Sequence, residues 1–182
     1  LVDDILSLSR LERSEFLADS PFESVRLLPI IEDAVRTCAQ KAEGKGVRVE
    51  VVCDGALVAR ANASLLEQAV VNLVDNAVKY SESASDVRVV AGESADHVSI
   101  AVHDRGCGIE AEHLPRIFER FYRVDGARSR MMGGTGLGLA IVKHIMAVHG
   151  GSVTVESASG AGSCFTLHLS RVTGPAAPVQ EK

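Results

Sequence analysis

The stretch VVNLVDNAVKYSES, residues 70–83, decides how the chain is read. It is mostly apolar, yet it carries Asn72 and Asn76 one helical step of four apart, with Lys79 close behind. At about 3.6 residues per turn, Gln68, Asn72, Asn76 and Lys79 fall within about half a turn of one line. Leu66, Val70, Leu73 and Ala77 form a second line, and Val71, Val74 and Val78 a third. Two apolar lines mean a helix covered over most of its girth. An amide buried without a partner costs roughly 1–3 kcal/mol, so two amides on one stripe require partners. One reading gives them to neighbouring backbone or to solvent. The other gives them to a ligand. An amide oxygen is a hard, neutral donor suited to Mg²⁺, and a lysine suits phosphate. A nucleoside triphosphate with Mg²⁺ would use all of them.

The rest of the chain bounds this reading. Its 182 residues suit one compact domain with flanking sequence, and 46% hydrophobic residues allow a sizeable core. A net charge of −5 argues against nucleic acid as the partner without excluding a small anionic ligand. Cys38, Cys53, Cys107 and Cys164 form no CxxC pair and read as isolated reduced thiols. No apolar run approaches the ~18 residues of a membrane span, and LVDDILSLSRLERS is too amphipathic and charged for a signal peptide.

Periodicity predicts an amphipathic helix over 1–14, a short strand over 22–27 and a helix from about Pro29 to Glu43, stopped by GKG. Strands follow in VRVEVVCD and LVARA; Asn62 then caps a helix that runs to about Tyr80. DVRVVAGES and HVSIAVHD read as neighbouring strands. Residues 105–135 read as irregular with short helical pieces, which in a compact domain signals a functional or mobile loop. A helix from about Gly136 to His149 ends at Gly150 and Gly151, and SVTVES and SCFTLHL close the domain as a hairpin across ASGAG. TGPAAPVQEK reads as a disordered tail.

Three further motifs bear on the ligand. DRGCGIE starts at Asp104, at the end of an apolar strand. A carboxylate there, followed by closely spaced glycines, lets backbone approach a flat ligand and can accept a hydrogen bond from an exocyclic amine such as that of adenine. The structural alternative is an ordinary turn. IFERFYR spaces Phe118 and Phe121 to pin down a loop. GGTGLGL, 133–139, opens a helix, and glycine-rich sequence before a helix N-terminus is suited to anions. The Walker pattern is absent, GTGLGL offers no GxGxxG, and the HRD and DFG elements of protein kinases are missing.

In this order, NLVDNAVKY, DRGCGIE, FERFYR and GGTGLGLAIVKHI resemble the N, G1, F and G2 boxes of sensor histidine kinases, over roughly residues 20–170. LVDDILSLSRLE resembles the end of the second helix of their dimerisation and phosphotransfer domain. The resemblance implies an α/β two-layer sandwich of the Bergerat type. A mixed β-sheet would be covered by helices on one face, with ATP held beneath a lid. It divides the chain into a truncated helix at 1–17, the catalytic ATP-binding domain at 18–171 and a tail at 172–182. By the same resemblance Asn76 is the Mg²⁺ ligand, and Asn72, Lys79 and Tyr80 lie by the nucleotide. Asp104 binds adenine, with Gly106, Gly108 and Ile109 shaping the pocket. Gly134, Thr135, Gly136, Leu137 and Gly138 lie at the phosphate end. Phe121 of the F box joins the nucleotide contacts. The lid covers about Arg123 to Gly134, from which Arg128 and Arg130 reach phosphate. Ser163 joins the adenine contacts through water.

None of the six histidines sits in the family's H-E-x-R-x-P acceptor motif, so the acceptor is expected upstream of Leu1. The implied partners are the phosphotransfer domain of the same kinase, a homodimer in the full protein, and the receiver domain of a response regulator. The implied location is cytoplasmic, with an inner-membrane sensor as one form of the parent. The alternatives are an ATP hydrolase of the gyrase, Hsp90 and MutL type, an anti-sigma-type serine kinase, and a degenerate module that binds no nucleotide. The hydrolases place a glutamate one turn before the Mg²⁺ asparagine, where this chain has Asn72, which is not a base. The preceding helix argues against the serine kinase, and the intact boxes argue against the degenerate module.

Overall fold

The computed structural model describes residues 22–95, 97–124 and 134–171. Helix 1–14, the tail, Arg128, Arg130 and most of the expected lid lie outside these residues. Along the chain come β1 (Glu23–Arg26), α1 (Leu27–Lys45), β2 (Arg48–Val52), β3 (Val58–Ala61) and α2 (Ala63–Tyr80). Then follow β4 (Asp86–Glu93), β5 (His97–Asp104), α3 (Gly138–Val148), β6 (Ser152–Ser157) and β7 (Ser163–Ser170). Five strands form one sheet in the order β2-β4-β5-β7-β6; β2 pairs β4 in parallel and every other pair is antiparallel. β1 and β3 form a separate antiparallel pair.

Side chains alternate across a strand, so a sheet covered on one face buries every second residue. Val87, Val89 and Ala91 of β4, Val98, Ile100 and Val102 of β5, and Phe165, Leu167 and Leu169 of β7 are buried in one core with the helices. Their neighbours, among them Arg88, His103 and Thr166, lie on the uncovered face. The expected mixed sheet, covered by helices on one face, is the fold observed.

Helix ends follow local chemistry. α1 starts two residues before the expected Pro29, because Pro29 at its third position lies among the first four N–H groups, which need no intrahelical partner. It ends at Gly46, which takes the left-handed φ of 69° that only glycine adopts freely. α2 is capped by Asn62, whose Oδ1 accepts from the Leu65 N–H at 3.1 Å. At its other end Lys45 of α1 donates to the carbonyls of Val78 (3.1 Å) and Lys79 (2.6 Å). A cation there satisfies two orphan acceptors and complements the helix dipole. α3 starts at Gly138, two residues later than the glycine run suggested. Between Arg105 and Val124 the described chain is turns rather than the short helices expected, held by bonds such as His113 N–H to Glu110 carbonyl at 3.0 Å.

His149, at the end of α3, ties two helices together. Its Nδ1 donates to the Ile145 carbonyl at 2.8 Å, and its Nε2 accepts from the Asn62 N–H at 3.2 Å. The Phe22 ring meets it edge-on at 4.8 Å. Burial lowers its pKa below the ordinary 6.5, and a proton on Nε2 would face the Asn62 donor. The neutral form is therefore the one the fold binds. Its contribution is present above the unfolded value of 6.5 and is lost as pH falls through the lowered folded value. His149→Gln should lower the melting temperature at pH 8, at a cost of roughly 1–3 kcal/mol. It should also flatten the loss of stability between about pH 7 and pH 5. Thermal unfolding across that range tests this; equal slopes in both proteins would exclude His149 as the titrating group.

Candidate functional site

The polar stripe of α2 survives folding. Leu66, Val70, Leu73, Val74, Ala77 and Val78 are buried in the core, whereas Gln68, Asn72, Asn76 and Lys79 are half-buried. The stripe meets the first turn of α3: a Cβ built on Gly138 would lie 3.6 Å from Asn72 Oδ1 and 3.9 Å from Asn76 Nδ2. Asn72 Nδ2 is buried there with no hydrogen-bond partner. The Lys79 ammonium lies against Gly134, where any side chain would collide with it, and 5.1 Å from the centre of the Tyr80 ring. Lys79 has no ion pair among the described residues. A positive group and two amides, one of them with an orphaned buried donor, thus share one helix face beside glycine backbone. Amide oxygens for a hard cation and an ammonium for phosphate fit a Mg²⁺-triphosphate.

The C-terminal end of the same helix, just past Lys79, is locked to the end of β5. Ser81 bridges Gly106, and a Cβ on Gly106 would strike the Tyr80 carbonyl. Asp104 Oδ1 accepts from the N–H of Gly106 at 2.8 Å and of Ser163 at 3.2 Å. The turn reading of Asp104 is therefore correct as far as Oδ1 goes, but both backbone bonds go to one oxygen and neither to Oδ2. Burial raises the Asp104 pKa above the ordinary value, and the bonds from Gly106 and Ser163 oppose that rise. The loop after it is strapped to the β6–β7 hairpin. The Ile109 N–H donates to Ser157 Oγ at 2.9 Å, and the Gly160 N–H donates to the Cys107 carbonyl at 2.7 Å. Ser163 also shares a 2.9 Å hydroxyl contact with Ser157.

The aromatic pair of the third motif divides its labour. Phe118 packs edge-on against Phe165, with ring centres 6.4 Å apart. Phe121 does not pin the loop as the spacing suggested: the residue is 60% exposed and its backbone takes a φ of 62°. What holds this point is backbone, since the Phe121 N–H donates to the Gly136 carbonyl at 2.9 Å. Gly136, at φ 75°, packs so closely that a Cβ would come within 2.9 Å of the Phe121 main chain. Leu137 is fully buried, leaving only its backbone for a ligand, and its N–H donates to Thr135 Oγ1 at 3.3 Å. No side chain caps α3, so its first-turn N–H groups remain open to an acceptor.

Two residues escaped the sequence reading. Arg123 buries Nε and Nη2 without a partner, and Ser81 is 4% exposed with an unpartnered Oγ. In the sequence Arg123 reads only as the first residue of the lid. The available signal was its position two residues after Phe121. Ser81 follows the helix as its extended C-cap and carries no signal in the stripe.

Residues 61–173 match the family described as histidine kinase-, DNA gyrase B- and HSP90-like ATPase. Among curated proteins, the chain is 38% identical over its full length to the sensor-like histidine kinase SenX3 of Mycolicibacterium smegmatis, covering 47% of it. It is 38% identical over 93% of its length to the phosphate regulon sensor protein PhoR of Pseudomonas aeruginosa, covering 38% of it. The chain thus spans about half or less of these relatives. Among solved structures, the mycobacterial sensor histidine kinase MprB matches with a TM-score of 0.71 at 29% identity, over 82% of this chain and 98% of that one. Full-length ShkA in complex with AMPPNP matches at 0.79 and 27% identity, over 98% of this chain and 36% of that one.

The close approach at Gly108 gives a stability test. At φ 66° a Cβ would fall inside the Ala158 carbonyl, whereas at Gly160, φ 78°, a Cβ meets nothing within 4 Å. Gly160→Ala should cost only the left-handed strain, roughly 1–2 kcal/mol. Gly108→Ala should add roughly 1–3 kcal/mol of overpacking to that strain. Equal melting temperatures for the two variants would show that the loop after Asp104 is not strapped to the hairpin.

Proposed function

The chain belongs to the family of histidine kinase-, DNA gyrase B- and HSP90-like ATPases, and we propose that it is the catalytic part of a sensor kinase that binds Mg·ATP and presents the γ-phosphate to a histidine on the parent's phosphotransfer domain. The observation that carries this reading is the stripe of Asn72, Asn76 and Lys79 against the glycine backbone of Gly134 and Gly138, with Asp104 fixed beside the C-terminal end of the same helix. Asn76 supplies an amide oxygen to Mg²⁺. Lys79, with Arg128 and Arg130, offsets phosphate charge, and Thr135, Gly136 and Gly138 present backbone N–H groups to it, with Leu137 anchoring the turn between them. Tyr80, Phe121, Gly134 and Ile109 line the nucleotide's path. Asp104 accepts the adenine amine on the oxygen that its own turn leaves open, with Gly106 and Gly108 beneath the base and Ser163 holding the carboxylate. Arg123, with its orphaned guanidinium nitrogens, joins this set.

The acceptor nitrogen is its own nucleophile, so the domain's work is positioning and charge neutralisation rather than proton abstraction. Asn72 fits that division, since an amide cannot activate water. This disfavours the hydrolase reading. The partners on this reading are the phosphotransfer domain in a homodimeric parent and the receiver domain of a response regulator, with the domain on the cytoplasmic side. No helix among the described residues is long and apolar enough to cross a membrane.

Two measurements test the proposal. ATP should bind more weakly in EDTA than in Mg²⁺, and Asn76→Ala should weaken Mg·ATP binding by at least roughly tenfold, about 1.4 kcal/mol, and remove most of the metal dependence. Titration calorimetry reads both, and equal affinity with and without Mg²⁺ in the unaltered protein would sink the Asn76 assignment. With γ-labelled ATP the chain alone should acquire no acid-labile phosphate, whereas adding the parent's phosphotransfer domain should label that domain. Stable labelling of a histidine within the chain itself would refute the division of labour.

A further inference from the structure

The face of the sheet that the helices leave bare carries a row of chemistry that the nucleotide site does not use. Register places Glu50, Arg88, His103, Cys164 and Glu156 directly beside one another across all five strands. Arg88 is drawn toward Glu50, with Nε 3.4 Å from Oε2, which turns the cation to the β2 side of the row. On the other side His103 Nε2 lies 3.7 Å from Cys164 Sγ. Glu156 stands across from Cys164 on the edge strand, exposed and with no ion pair among the described residues. A cavity of about 280 Å³ opens over this end of the row, lined by His103, Asp104, Glu156, Ser157, Ser163 and Cys164 among others.

We propose that His103 Nε2 and Cys164 Sγ, with the Glu156 carboxylate closing the site, bind a thiophilic divalent cation of the zinc class. In a tetrahedral site with metal–sulfur near 2.3 Å and metal–nitrogen near 2.0 Å, the two ligand atoms lie about 3.5 Å apart. The observed 3.7 Å needs no backbone movement. Two directly paired strands hold the sulfur and the nitrogen, so the pair is pre-organised. Glu156, exposed and opposite Cys164 on the third strand, would swing in as the third ligand, and water would complete the coordination. The thiol gives up its proton on binding. Burial raises the Cys164 pKa, its bond to Thr166 opposes this, and the charges of Glu156 and Asp104 add to the rise. That same negative surround favours a cation. A competing cluster, Glu110, Glu112 and His113, brings its ligand atoms within 4.8 Å of one another, but two of the three are exposed glutamates and nothing else there points to an ion.

The probe is Co²⁺ alone, titrated without nucleotide into the reduced 182-residue protein carrying no histidine tag. A near-ultraviolet thiolate-to-cobalt band should grow in and saturate near one equivalent, and Zn²⁺ should abolish it by competition. The band should vanish in Cys164→Ser and in Cys164→Ala and persist in the double variant Cys53→Ser/Cys107→Ser. His103→Ala and His103→Gln should each weaken Co²⁺ at least tenfold, and Glu156→Gln by a smaller factor. Circular dichroism confirms that each variant is folded, and of the two substitutions at each ligand the folded one is read. No thiolate band at millimolar Co²⁺, a band that survives loss of Cys164, or full affinity without His103 would each overturn the site.

Discussion

Everything in this domain depends on one helix that cannot be fully buried. α2 packs its two apolar lines into the core and is fixed at both ends by other elements: Asn62, bonded to His149 of α3, at the start, and Lys45 of α1 at the finish. That leaves one polar stripe facing the first turn of α3, with an amide donor already out of contact with water. An orphaned buried donor costs free energy comparable to a lost hydrogen bond. On the proposed function, a charged ligand bound along the same stripe, with Lys79 beside it, would make up the loss. Stability and ligand chemistry are thus opposed on a single helix, and the caps at its two ends hold it in place.

Much of this was legible in the sequence. Alternation gave β4, β5 and β7 because one covered face imposes period two. Asn62, Gly46 and the Gly150–Gly151 pair marked helix ends because capping is local chemistry. The stripe was legible because helical geometry alone places Asn72, Asn76 and Lys79 together. The order of the four boxes supplied the family, which no single motif would have done.

What was not legible was whatever depends on contacts between distant segments. The spacing of Phe118 and Phe121 predicted two anchors, but only Phe118 finds a partner, Phe165, more than forty residues away. Phe121 is held through its main chain by Gly136 instead. The orphaned nitrogens of Arg123 and the hydroxyl of Ser81 could not be anticipated, because the absence of a partner is a property of the fold. The two roles of Asp104 looked like alternatives in the sequence. In the structure both backbone bonds of the turn go to Oδ1, so the proposed adenine contact does not compete with them for Oδ2.

The sheet joins the two halves of the argument. His103 and Asp104 are consecutive residues of β5, and alternation sends their side chains to opposite sides. Asp104 turns toward Gly106 and the helix layer's edge, while His103 turns to the bare face beside Cys164. Both are also paired across the same ladder, His103 with Cys164 and Asp104 with Ser163. A ligand held between His103 and Cys164 would therefore sit one step along the ladder from Asp104 and Ser163. Because one strand end serves both faces, such chemistry would reach the nucleotide side through backbone alone, without a residue that touches both ligands.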